Sequence, residues 1–261
     1  MKTVLTIAGS DCGGAGGIQA DIKTITAHGL YATSAITSMT AQNTTGVYDI
    51  QESTPKFLGR QLEAVFEDIF PDAVKIGMVS NDDLIDMIAE KIKHYHAKNV
   101  VLDTNIVSSS GRRLVGNMAE RIILKELVPL AALIIPSIPE AEMMSGIKID
   151  SIEDMGAAAG IISEKYGSKG IFFRDGHKIT EKGDMLFDSG KIIWIPGSYE
   201  GDGKSMGKSC ALSAAIACNL AKGYHLSDSI KKAKTYVKGA VDHSFSIGKG
   251  KNPVNHMYTE E

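Results

Sequence analysis

Short apolar and β-branched runs alternate along this chain with longer segments whose apolar positions recur every three or four residues. The short runs occupy residues 4–8, 32–41, 73–78, 99–103, 131–136, 170–174, 185–188 and 191–196, bounded by glycine, proline or polar residues. They predict strands, several of them buried. Helices are predicted over 18–28, 55–70, 81–95, 118–127, 152–166, 211–220 and 226–243. In the second of these, Phe57, Leu58, Leu62, Val65, Phe66 and Ile69 form one apolar stripe. Asn81 stands where an N-cap belongs. Ser189-Gly190 joins the last two strands, and Lys231, Lys232, Lys234 and Lys238 of the last helix read as a solvated face. Strands alternating with helices predict an α/β protein on a mostly parallel sheet. No repeat or linker divides the chain, so residues 1–261 are expected to form one domain.

In such a sheet, ligands bind beyond the carboxyl ends of the strands. Polar residues recur at those ends: Asp11, Gln42, Asp103, Glu140, Arg174 and Cys210. The recurrence predicts one shared cleft. Asp11 taken alone is equally well an N-cap or Asx turn as a ligand contact.

The stretch from Gly201 to Cys210, leading into the helix at 211–220, combines three features. Glycines let backbone N–H groups turn toward an anion, the helix presents its positive end, and Cys210 sits at the junction. The helix dipole is expected to lower the thiol pKa there. Together these suggest phosphoryl chemistry, with Cys210 as nucleophile or base. The stretch misses the Walker A pattern by one position. Gly207-Lys208-Ser209 supplies the last letters, but the first glycine would have to be residue 202, which is Asp202. The bland alternative is a glycine loop capping a buried helix. The earlier loop from Gly9 to Gly17 likewise fails the dinucleotide pattern, because Gly14 and Gly16 would need a third glycine where Gln19 stands.

Composition narrows the classes. A net charge of −3 with 28 basic and 31 acidic residues argues against a nucleic-acid binder. No apolar run is long enough to span a bilayer, and the apolar N-terminus stops too soon for a signal peptide. Three cysteines, Cys12, Cys210 and Cys218, make neither a disulfide framework nor a zinc site. A reducing cytoplasm is the expected location. Cys218, two turns beyond Cys210 among alanines, reads as core filler.

With these residues assembled, the chain resembles the hydroxymethylpyrimidine/phosphomethylpyrimidine kinases of thiamine biosynthesis, in the ribokinase-like superfamily. The resemblance is carried by Thr6-Ile-Ala-Gly-Ser-Asp11, Gly17-Ile-Gln-Ala-Asp-Ile-Lys-Thr24, Ala41-Gln-Asn-Thr44, Asp72-Ala-Val-Lys-Ile-Gly-Met78, Val100-Val-Leu-Asp103, Pro139-Glu-Ala-Glu142, Gly176-His177, Cys210-Ala-Leu-Ser-Ala-Ala215 and Pro253-Val-Asn-His256. It implies a three-layer sandwich with a mostly parallel central sheet flanked by helices. It implies ATP-dependent phosphorylation of 4-amino-5-hydroxymethyl-2-methylpyrimidine and its monophosphate, with Mg2+. By resemblance, Asp11, Gln42, Met78 and Val107 belong to the pyrimidine site. Cys210 and Gly207 belong to the catalytic loop, Arg174, Gly176 and Lys208 to the nucleotide site, and Asp103 and Glu140 to nucleotide and metal. Homodimerisation is implied by analogy alone. No nucleic acid or membrane partner is implied.

Departures gather at the phosphate end. The family's Thr-His-Gly-Thr-Gly-Cys is here Ser205-Met-Gly-Lys-Ser-Cys210, and its Lys-Gly-Gly-His is Arg174-Asp-Gly-His177. A lysine before Ser-Gly is lost near Ser109, its Thr-Pro-Asn is Ile135-Pro-Ser137, and Cys12 stands in its serine-rich first loop. Two alternatives therefore stay open: a catalytically weakened or inactive pyrimidine-binding relative, and a pyridoxal kinase on the same fold.

Overall fold

The computed structural model describes residues 1–107, 113–174, 178–197 and 205–258. Its strands are β1 (Thr3–Asp11), β2 (Tyr31–Asn43), β3 (Gly46–Glu52), β4 (Ala73–Ile76), β5 (Val100–Leu102), β6 (Leu133–Ile134), β7 (Gly170–Phe173), β8 (Asp184–Asp188), β9 (Lys191–Ile195), β10 (Ser205–Met206) and β11 (Asn252–Pro253). The helices are α1 (Gly17–Ala27), α2 (Pro55–Asp68), α3 (Asp82–His94), α4 (Asn117–Ile122), α5 (Ile138–Ser145), α6 (Ile152–Tyr166), α7 (Lys208–Ala221) and α8 (Leu226–Asp242). Nine strands form one sheet in the order β3-β2-β1-β4-β5-β6-β7-β8-β9. The six from β2 to β7 run parallel, and β3, β8 and β9 are antiparallel additions at the two ends.

Both faces of this sheet are covered, which is why its central strands read as unbroken apolar runs. Leu5, Ile7, Val100, Leu102, Ile171 and Phe173 point to one face and pack beneath α2 to α6. Their neighbours Val4, Val101 and Phe172 point to the other, under α1, α7 and α8. The period of two along each strand thus divides one apolar segment between two cores. α7 is the most enclosed helix, with ten of its residues buried from Ala211 to Ala221, Cys218 among them.

Local chemistry fixes the ends. Asn81 caps α3, accepting from the Asp83 and Leu84 N–H groups. Thr54 caps α2 ahead of Pro55. The predicted helix at 118–127 is α-helical only to Ile122 and continues as a π turn over Ile123–Leu127. Lys234 departs from the expected solvated lysine face. Its side chain is buried on α8 and pairs with Asp184 at 2.7 Å, donating also to the Ile195 carbonyl. Lys231, Lys232 and Lys238 are exposed. The helix placed at 211–220 begins earlier, at Lys208, which shortens the loop before Cys210.

Two elements carried no usable pattern. β3 is exposed at every position, so no alternation marks it. It pairs with β2 through the two-residue turn Thr44-Thr45, held by the Asn43 Oδ1, which accepts from the Thr45 N–H and hydroxyl. α5 is short, and its capping box of Ser137 and Glu140 defines it better than its apolar spacing does.

Candidate active site

A pocket of about 300 Å³ opens at the carboxyl ends of β1, β2 and β4, beside the N-terminus of α7. Asp11, Gln42, Met78, Asp103 and Cys210 all line it. Met78, Val79 and Leu84 make one side apolar, and Gln42, Ser10 and Thr40 make another polar. A flat heteroaromatic ring with an amino group and ring nitrogens is the kind of ligand such mixed walls accept.

Asp11 has settled its role in the fold. Its Oδ1 accepts from Gly13 N–H at 2.8 Å, and its Oδ2 accepts from Ala15 and Gly16 N–H at 3.1 and 2.7 Å. The carboxylate thus shapes the first glycine loop, with its edge on the pocket. Cys12 ties that loop to β2, its thiol donating to the Gln42 carbonyl at 3.1 Å. Gln42 is fixed through its backbone N–H, and its side-chain amide, whose oxygen accepts from the Thr40 hydroxyl at 3.4 Å, stands at the pocket wall.

Gly207 caps α7 at φ +87°, and a Cβ there would sit 2.2 Å from the Ala15 carbonyl oxygen. Only glycine satisfies both conditions. The N–H groups of the first helical turn leave the end of α7 at this point, a ready anion site. β10, just before the loop, is held parallel to β11 near the C-terminus, and Val254 N–H donates to the Met206 carbonyl. Ser209 lies inside the helix, so the single left-handed residue of this turn is Gly207.

The Ser209 hydroxyl instead joins a charged cluster. It donates to Asp103 Oδ2 at 2.7 Å and accepts from Arg174 Nη1 at 2.7 Å. Arg174 also pairs with Asp103 Oδ1 at 2.9 Å, and its other terminal nitrogen lies 3.9 Å from Glu140. Asp103, only 1% exposed, is therefore held from two sides. Glu140 is fully buried with both oxygens committed: one accepts from Ile106 and Val107 N–H, the other from Ser137 N–H and hydroxyl. It anchors the segment after β5 to the start of α5.

Cys210 departs from the expected acidic thiol. Burial pushes it up to about 11, against the opposing pull of Lys75 and of the Gly17 N–H aimed at its sulfur; Asp21 and Asp103 push the same way as burial. Enclosure outweighs the helix dipole here. Val107 does not line the pocket. Its side chain belongs to the core beneath α2 to α6. Lys208 opens α7 beside the pocket without lining it. Gly176 lies outside the described residues.

The sequence reading gave no role to Lys75 and Asp21, although both stand inside its quoted motifs. Lys75 lines the pocket floor and pairs with Asp21 at 2.8 Å, both buried. A lysine in an otherwise apolar central strand was the available signal.

Comparisons with known proteins give the family. Residues 11–255 match the family described as phosphomethylpyrimidine kinase. The chain belongs to that family. It is 37% identical over 262 residues to the hydroxymethylpyrimidine/phosphomethylpyrimidine kinase of Haemophilus influenzae, covering 98% of this chain and 97% of that one. It is 38% identical to the bifunctional thiamine biosynthesis protein of Geobacter sulfurreducens, spanning 53% of that longer protein. The phosphomethylpyrimidine kinase structure from Clostridium difficile superposes with a TM-score of 0.83 at 40% identity, over 92% of this chain and 100% of that one. A Bacillus subtilis pyridoxal kinase bound to ADP gives 0.87 at 30%, over 98% and 97%. The fold of this phosphomethylpyrimidine kinase family member is accordingly the ribokinase-like α/β/α sandwich. No helix among the described residues is long and apolar enough to cross a membrane.

Proposed function

We propose that this chain phosphorylates 4-amino-5-hydroxymethyl-2-methylpyrimidine with ATP, and then its monophosphate. The observation that carries the reading is the placement of Cys210, in the first turn of α7 after the Gly207 cap, on the pocket that Gln42 and Met78 also line. Phosphoryl transfer asks a protein mainly for alignment and charge stabilisation. The pyrimidine would lie between Met78 and the Gln42 amide, with its hydroxymethyl oxygen near the Cys210 sulfur. Cys210 orients that oxygen and takes its proton. The N–H groups at the start of α7 receive the transferring phosphoryl oxygens, and Lys208 adds positive charge at the same end. Arg174 would turn from Asp103 toward nucleotide phosphates, for which a guanidinium is suited.

Magnesium fits Asp103 better than Glu140. Asp103 accepts one hydrogen bond on each oxygen and keeps acceptor capacity, whereas each Glu140 oxygen already accepts two. Magnesium typically needs only one or two carboxylates beside phosphates and water. When bound it would neutralise the phosphate charge, with Asp103 as its carboxylate partner. Glu140 would act by holding the chain next to Asp103. The cytoplasm is the proposed location, and a homodimer the proposed assembly, by analogy with relatives.

The test is turnover of Mg-ATP with the hydroxymethylpyrimidine, products being resolved by phosphorus NMR, with Cys210→Ala in parallel. Monophosphate and diphosphate that vanish in the variant are expected. Pyridoxal offered in the same assay addresses the second reading, which the close superposition on pyridoxal kinase favours. Pyrimidine binding without product from any acceptor would mark a non-catalytic relative and overturn the kinase reading.

A further inference from the structure

The central strand β4 places one charge where its neighbours are apolar. Ala73, Val74 and Ile76 are core residues, and between them Lys75 is 1% exposed. Its ammonium reaches Asp21 Oδ2 on α1 at 2.8 Å, and the Thr6 hydroxyl on β1 donates to the same oxygen at 2.5 Å. A buried ion pair of this kind is a poor device for stability alone, because desolvation offsets the attraction. The pair is also incompletely satisfied, since Asp21 Oδ1 has no hydrogen-bond partner.

The surroundings keep the ammonium next to the pocket. Lys75 lines it together with Cys210. Gly77, two residues on and just past the end of β4, leaves the space free: a Cβ there would meet Lys75 Nζ at 2.7 Å. Glycine at 77 therefore keeps a cation at the floor of a site whose half-buried thiol is the candidate base.

We propose that Lys75 is a positioning residue for Cys210: a fixed cation, aimed by Asp21 and Thr6, that stabilises negative charge on the sulfur while the acceptor hydroxyl is activated. The step balances without a further reactant. Cys210, protonated at rest, first releases its proton to water, and the thiolate then takes the hydroxymethyl proton as the oxygen bonds to the γ-phosphorus. The bond from that phosphorus to ADP breaks, and Cys210 is back in its resting thiol form. Lys75 stays protonated throughout. Burial works against its ammonium, but Asp21, the sulfur and Asp103 together hold it above the usual lysine range. Among the described residues, the groups whose charge or N–H acts on the sulfur are Lys75 from β4, Asp21 and the Gly17 N–H from α1, and Asp103 after β5. Of these, Lys75 is the only charged side chain that favours the thiolate.

The inference rests on the kinase reading for its purpose, but its test does not. Iodoacetamide alkylation of Cys210, followed on its own peptide by mass spectrometry between pH 7 and 10, reports the thiolate fraction directly. Lys75→Met is expected to slow alkylation about tenfold at a given pH, one unit in apparent thiol pKa. Asp21→Asn removes a negative charge and is expected to speed it. Lys75→Arg should restore most of the parent rate. If Lys75→Met does not fold, Asp21→Asn and Lys75→Arg carry the test. Both charge-removing variants moving the same way, or no change in Asp21→Asn, would overturn the proposal. Opposite shifts in a chain that phosphorylates nothing would refute the kinase reading and leave this one standing.

Discussion

Gly207 is the position at which backbone shape and phosphate binding coincide, and Gly207→Ala separates two costs there. The first is conformational: at φ +87° an alanine enters the left-handed region, at roughly 1–2 kcal/mol. The second is steric. The new Cβ would lie 2.2 Å from the Ala15 carbonyl oxygen, against the 3.4 Å where ordinary contact begins, and backbone must move to relieve it. Overpacking of that kind adds about 1–3 kcal/mol, giving a total of about 2–5 kcal/mol. Gly146 isolates the first cost. It ends α5 at φ +78° with nothing within 4 Å of its Cβ direction. Gly146→Ala should therefore lose only about 1–2 kcal/mol. Denaturant unfolding of the two variants measures the difference, and each kcal/mol corresponds to about 2–4 °C in Tm for a domain of this size. ADP calorimetry supplies the functional arm. Moving the turn should weaken nucleotide binding in Gly207→Ala and leave Gly146→Ala at the parent affinity. Equal losses of stability, with unchanged ADP binding in both, would refute the assignment of Gly207 to a strained anion turn.

Arg174→Met should weaken ADP binding by about tenfold, the equivalent of one charge-assisted hydrogen bond, while pyrimidine affinity measured by calorimetry stays at the parent value. Lys234→Met removes the buried ion pair with Asp184 and should cost about 3–5 kcal/mol by denaturant unfolding, whereas Lys232→Ala, on the exposed side of α8, should stay within about 0.5 kcal/mol. His256, buried against Thr24 and Tyr236, is pushed down to about 4 by burial, with Lys23 adding to the shift. Its neutral form is the folded one, so its contribution is complete above pH 6.5 and is lost as pH falls toward 4, up to about 3 kcal/mol. His256→Asn should flatten that part of the stability profile, and an unchanged slope between pH 6.5 and 4 would remove His256 as its cause.

Much of the architecture was written in the chain itself. A strand covered on both faces must be apolar throughout, so β1, β4, β5 and β7 announced themselves, as did the amphipathic α2 and α3. The strand-end residues Asp11, Gln42, Asp103 and Cys210 were legible because parallel sheets gather such ends at one edge. β3 was not, since an edge strand without a buried face leaves no alternation to read. Nor was the fate of individual charges. Lys234 and Lys231 look alike in a lysine-rich helix, and only the packing of α8 on β9 buries one and exposes the other. Cys210 stands at a helix start in any reading, but its thiol is governed by enclosure and by Lys75 and Asp21, brought to it from two other elements. Sequence determines which residues can be buried together. The desolvation that raises one pKa, commits Glu140 to backbone N–H groups and pairs Arg174 with Asp103 through Ser209 exists only once distant segments share a single low-dielectric space.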